Sequence, residues 1–114
     1  MNDITDNAIM TALGRQMTKA VAREAVSAGN LANIDTPGYH AREATFNDAL
    51  DEELGQTAAT VTEVAGLPAR RDGNNVQLDR ELLTLSRASS DFSAAQTALA
   101  AKFRLVRYAI NEGR

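Results

Sequence analysis

The sequence predicts a mainly α-helical fold. Long N- and C-terminal helices pair as an antiparallel coiled-coil hairpin, around an irregular or short β-hairpin middle region. Three observations carry this expectation. Apolar residues recur at helical spacing over roughly residues 4–32, and a heptad series runs through the last third of the chain. Between them, a Pro-Gly pair ends the helical pattern, and β-branched and acidic residues take over. A chain of 114 residues makes one small domain with one modest core. We divide it into a first helix over 1–33, a turn, loop and β-hairpin region over 34–78, and a heptad helix over 79–114, together one elongated unit.

In the first segment, Ile9, Leu13, Met17, Ala20, Ala28 and Leu31 share one face, widened by Met10 and Val21. Arg15, Lys19 and Arg23 line the opposite side at i, i+4, i+8. Glu24 falls inside the apolar stripe as an exception. From Ala20 to Ala32 the contrast fades, because Ala22, Ala25 and Val26 lie off the stripe. A helix apolar nearly all round is buried on several sides. One partner helix in so short a chain does not supply that cover, which predicts packing between molecules.

The helix stops in "SAGNLANIDTPGYHAREATF", Ser27 to Phe46. Asn30 or Asn33 ends it, through left-handed geometry or carbonyl capping. Thr36 precedes proline and is therefore extended. Pro37-Gly38 has the central-pair signature of a type II turn, and Asp35 is placed for an Asx turn. Tyr39 then presents an amphipathic ring just past a rigid corner. Read from these residues alone, the stretch is a helix stop and a turn.

In the middle region, Phe46 to Leu54 suits a short amphipathic helical turn, and Thr57 to Val64 is β-branched and strand-like. Asp72-Gly73 is a tight-turn signal between Leu67 and Leu78, so the region reads as a hairpin or extended loop. In the last segment, Leu78, Leu82, Leu85, Ser89, Phe92, Gln96, Leu99, Phe103, Val106 and Ile110 alternate steps of four and three. That is a heptad seam with two polar positions, on a helix of roughly 45 Å.

The net charge of −3 does not draw the chain to nucleic acid. Residues 34–78 hold eight acids and three bases, while 79–114 hold six bases and four acids. Without cysteine there is no disulfide or thiol chemistry. No apolar run approaches the roughly 18 residues of a membrane span, and the N-terminus lacks the layout of a cleaved secretory signal. His40 is the sole histidine, with no second ligand at zinc spacing. Asp51-Glu52-Glu53 is an acidic cluster on a helix end. "RRDGNNV" resembles part of a calcium loop but lacks its alternating acids and closing Glu. There is no phosphate-cradling glycine loop. Neither an enzyme nor a cofactor, metal or small-molecule substrate is expected.

"AGNLANIDTPGY", Ala28 to Tyr39, resembles the signature of the bacterial flagellar rod and hook proteins, in which a long N-terminal helix ends in A-x-N-x-A-N-x-x-T-P-G-Y/F. Asn30, Ala32, Asn33, Thr36, Pro37, Gly38 and Tyr39 match it. "HAREATF" and "GNNVQLDRELLTLS" are most similar to the proximal rod subunit within the flagellar basal-body rod family. The resemblance covers roughly 1–50 and 73–112. Phe92 stands where the family's C-terminal helix usually has tyrosine. The resemblance implies a structural subunit of the proximal rod, without enzymatic activity. It would be exported by the flagellar type III apparatus without a cleaved signal peptide, and built into the periplasmic rod through its terminal helices to transmit torque. The partners implied are copies of itself, other rod subunits, rod-base and MS-ring components, and the export gate. Phe46 and Leu50 fit the family's short gate-binding element, F-x-x-x-hydrophobic. Leu13, Met17 and Leu31 on the first helix are expected in helix packing. So are Leu82, Leu85, Phe92, Leu99, Phe103, Val106 and Ile110 on the last. The heptads alone also fit a soluble coiled-coil adaptor or chaperone-like binding module.

Overall fold

Two helices account for most of the chain. A computed structural model describes residues 3–112; the outermost ends of the two terminal segments, 1–2 and 113–114, lie outside the described residues. The element order is α1 (Asp3–Ala32), β1 (Arg42–Phe46), α2 (Asp48–Leu54), β2 (Ala59–Glu63) and α3 (Leu78–Glu112). α1 and α3 run antiparallel. As contacts ascend α1 through Asp6, Gln16 and Ser27, their partners descend α3 through Lys102, Asp91 and Glu81. The molecule measures 69 × 26 × 17 Å, with a radius of gyration of 18.6 Å. A compact domain of this length has about 13 Å, so the hairpin sets the shape. No helix among the described residues is long and apolar enough to cross a membrane.

The seam between the helices differs from the expected one by a rotation of α3. Residues 81, 85, 88, 92, 95, 99, 102 and 106 are buried or half-buried, again in alternating steps of four and three. Leu85, Phe92, Leu99 and Val106 belong to both series. At the alternate positions Glu81, Ala88, Ala95 and Lys102 replace Leu82, Ser89, Gln96 and Phe103. Leu82, Phe103 and Ile110 are half-exposed or more, so within one chain they flank the seam and do not fill it. Ser89 and Gln96 are exposed, which accounts for their polarity without a cost in the seam.

The rotation has a packing cause. Ala88 and Ala95 are nearly inaccessible and face an α1 on which Ala20 is fully buried. Small residues at these positions let the helices approach closely, and larger side chains flank the contact. On α1 the matching series is Asp6, Met10, Leu13, Met17, Ala20, Glu24, Ser27 and Leu31, each buried or half-buried. Ile9 and Ala28, expected on this face, are exposed. Both ends of the seam carry polar locks. Lys102 pairs with Asp6 at one end. At the other, Ser27 Oγ donates to Glu81 Oε2 at 2.6 Å, and Arg80 Nη1 donates to Glu81 Oε1 at 2.7 Å. Polar groups inside a seam cost stability but fix register.

The middle region is a two-stranded antiparallel arm that pairs Arg42 with Glu63 and Phe46 with Ala59. The hairpin therefore closes through α2 and not through Asp72-Gly73, as the turn signal had suggested. α2 has both its caps. Asn47 Oδ1 accepts from Leu50 N, and Gly55 takes the left-handed conformation at φ 68°. β1 was not expected from sequence. "REATF" has no clear alternation, and its pairing partner lies about 17 residues on.

Candidate functional site

The helix stop forms the most densely bonded part of the molecule. Asn33 ends α1 without left-handed geometry, since no non-glycine residue described has positive φ. Instead its side-chain amide donates to Gly29 O at 2.8 Å, capping a carbonyl of the last turn. Asn33 Oδ1 accepts from Thr36 Oγ1 at 3.1 Å. Thr36 O then accepts from Tyr39 N at 3.2 Å, and Gly38 has φ 75°. This is the type II turn expected for Pro37-Gly38. Asp35 is exposed. The Asx turn expected there occurs at Asp72, whose Oδ1 accepts from Asn74 N at 3.0 Å.

Asn30, fully buried one turn earlier, binds the chain after it has turned the corner. Its amide donates to Arg42 O at 2.8 Å, and its Oδ1 accepts from Arg42 N at 3.0 Å and Tyr39 Oη at 3.2 Å. The side chain thus imitates a neighbouring strand at Arg42, where β1 begins. The Arg42 guanidinium lies 5.8 Å from the Tyr39 ring centroid.

The opposite wall comes from residues 70–76, just before α3. Asn74, also fully buried, donates from its amide to Asn33 O at 2.8 Å and Thr36 O at 2.9 Å, and accepts from Val76 N at 2.8 Å. Asn75 accepts from Ala41 N at 2.6 Å through Oδ1, and its own N–H donates to Tyr39 O at 3.2 Å. Arg70 donates to Val76 O at 2.9 Å and also to Ile34 O. The stretch with partial likeness to a calcium loop is therefore a clamp on the corner. Among the described residues no group of three or more metal-ligating side chains converges.

A second fastening lies along α1. The Phe46 ring sits beneath Arg23 and Lys19, 5.1 Å and 5.5 Å from its centroid, and Lys19 pairs with Asp48. Lys19 and Arg23, half-buried members of the Arg15–Lys19–Arg23 series, thereby strap the β arm to the helix. His40 Nδ1 lies 3.3 Å from Glu63 Oε2 on the exposed side of the arm.

The corner geometry invites comparison with known proteins. No family model matches the chain. The flagellar basal body rod protein FlgB of Salmonella typhimurium is 30% identical over 107 residues, covering 72% of this chain and 78% of that protein. The chain belongs to the FlgB family. Its FlgB relative in Bacillus subtilis is 24% identical over 119 residues, 90% of this chain and 92% of that protein. That of Escherichia coli is 28% identical over 107 residues, 72% and 78% respectively.

In this FlgB-family chain the signature residues Asn30, Asn33, Thr36, Pro37, Gly38 and Tyr39 come together at the corner, while Ala32 is exposed at the last position of α1. Phe46 and Leu50 separate. Phe46 is half-buried at the end of β1, and Leu50 is exposed on α2. Leu13, Met17 and Leu31 are half-buried on α1. Asn74, Asn75 and Arg70 were missed as a functional group. The usable signal was two adjacent asparagines after a glycine just before a heptad helix, too polar to end up buried unless backbone groups await them. Glu81 and Ser27 gave no such signal, because each is an ordinary polar residue until the helices pair.

Proposed function

We propose that the chain is a structural, non-enzymatic subunit of the bacterial flagellar basal-body rod, at its proximal end. It is exported by the flagellar type III apparatus without a cleaved signal peptide and transmits torque in the periplasm. It packs against copies of itself, other rod subunits, and rod-base and MS-ring components. The likeness to the Salmonella rod protein over 72% of the chain carries this reading. The exposed apolar residues support it. Leu78, Leu82, Leu83, Phe103, Leu105 and Ile110 all stand at least half-exposed on α3, and a series of this kind along one helix marks a surface meant for neighbours. A rigid corner locked by buried amides suits a part that carries load, because each buried hydrogen bond resists bending of the helix against the arm.

Phe46 and Leu50 are proposed to engage the export gate while the chain is unfolded. Phe46→Ala lowers delivery across the inner membrane in this reading; undiminished delivery would leave Phe46 only its place under Lys19 and Arg23. Deletion of the gene tests the function as a whole. The expected strain is non-motile and builds no rod. A deletion strain that swims, with intact basal bodies, overturns the proposal.

A further inference from the structure

The far end of α3 and the outer face of α2 are complementary, and one chain cannot bring them together. Arg104, Arg107, Tyr108 and Asn111 line a shallow depression near the end of α3. Tyr108 and the adjacent Leu105 are 65% and 58% exposed. No acid lines this depression, and the neighbouring Lys102 is already taken by Asp6. α2 has the opposite character, with four acids in the seven residues DALDEEL. Asp48 is paired with Lys19, Glu52 lies in a recess beside Arg15, and Asp51 is buried. Glu53 is exposed, as are Leu50 and Leu54, 48% and 58%, one helical turn apart. Each surface is therefore an apolar pair edged by charge, and the charges are opposite.

We propose that the Arg104–Arg107 face of one subunit docks on the α2 face, Leu50, Glu53 and Leu54, of a second copy. In the cell this contact rests on the rod reading. Its geometry is constrained. α2 is strapped beside Lys19, and Gln16 faces Asp91 across the seam. Arg107 lies 16 residues beyond Asp91, or roughly 24 Å along the helix. Two parallel subunits that make the contact are staggered axially by about that distance. The two faces are different surfaces, so the contact is head-to-tail: each copy offers one of each, and the series continues without closing unless its rotation brings it round.

The test exploits the absence of cysteine. An Ala49→Cys, Arg107→Cys chain cannot form the disulfide internally, because the two Cα atoms are far beyond the roughly 7 Å limit. Both sites are exposed, and circular dichroism checks that helix content is unchanged. The expected result is an oxidised ladder of linked copies, in concentrated purified protein and in isolated basal bodies. Adding Arg104→Glu lowers the yield roughly three- to ten-fold, as expected when attraction between exposed charges becomes repulsion, and Glu53→Arg in the same chain restores it. Monomer alone in both preparations overturns the proposal, as does a ladder indifferent to Arg104→Glu. A ladder in purified protein but not in basal bodies supports the contact and counts against the rod reading.

Discussion

Gly38 and Gly73 meet backbone to backbone, although 35 residues separate them. Gly38 N donates to Asp72 O at 2.8 Å, and a Cβ placed on Gly73 would lie 3.3 Å from Gly38 Cα. Both have positive φ, 75° and 86°. The turn that ends α1 and the loop that leads into α3 are thus in direct contact; both glycines need positive φ, and Gly73 also lacks room for a side chain.

This contact ranks two substitutions. Gly38→Ala suffers only backbone strain, since nothing lies within 4 Å of its Cβ position, and costs about 1–2 kcal/mol. Gly73→Ala adds a crowded contact with backbone that is slow to yield, for about 2–3 kcal/mol. Urea unfolding followed by circular dichroism should find Gly73→Ala the more damaging.

Asn74 tests the clamp. Asn74→Ala takes one of two donors from the carbonyls of Asn33 and Thr36 and leaves the N–H of Val76 without its side-chain acceptor, on the order of 2 kcal/mol. Asn74→Asp keeps the acceptor for Val76 but turns a carboxylate oxygen toward two carbonyl oxygens. It should unfold at lower urea than Asn74→Ala, despite its closer shape. The reverse order would mean that volume, and not donor placement, secures the corner.

The seam is tested by neighbouring positions. Ala88→Leu forces the helices apart and costs about 1–3 kcal/mol. Ser89→Leu, at an exposed position, changes stability by less than about 0.5 kcal/mol. Equal effects in thermal melts would restore the seam first expected from the leucine series.

Asp48 supplies a pH test. The hydrogen bond from Lys19 and its charge, helped by Arg15 and Arg23, hold this carboxyl below its ordinary value of 3.8. Its stabilising contribution is therefore present above 3.8 and fades as pH falls through the lower folded value. Asp48 is exposed, so the effect on stability is small. Carboxyl NMR should show the Asp48 midpoint rising toward the ordinary value in Lys19→Met.

Both terminal helices and the corner were legible in the sequence, because they depend on local chemistry. Apolar spacing specifies a helix wherever it packs, Pro37-Gly38 permits few turns, and Asn33 caps through a carbonyl only four residues away. Half of the seam was legible as well, at Leu85, Phe92, Leu99 and Val106. The other half was not, because hydrophobicity ranks Leu82 and Phe103 above Glu81, Ala88, Ala95 and Lys102. The tertiary structure chose the latter set: alanines allow close approach, and Ser27, Arg80 and Asp6 satisfy the charges. The strand at Arg42–Phe46 and the burial of Asn74 and Asn75 depend likewise on partners distant in the chain. The sequence by itself determined which segments are helical and where the first one stops. Only the tertiary structure decided which face of each helix turns inward and which amides close the corner, since a polar group is stable inside only once its partner is in place.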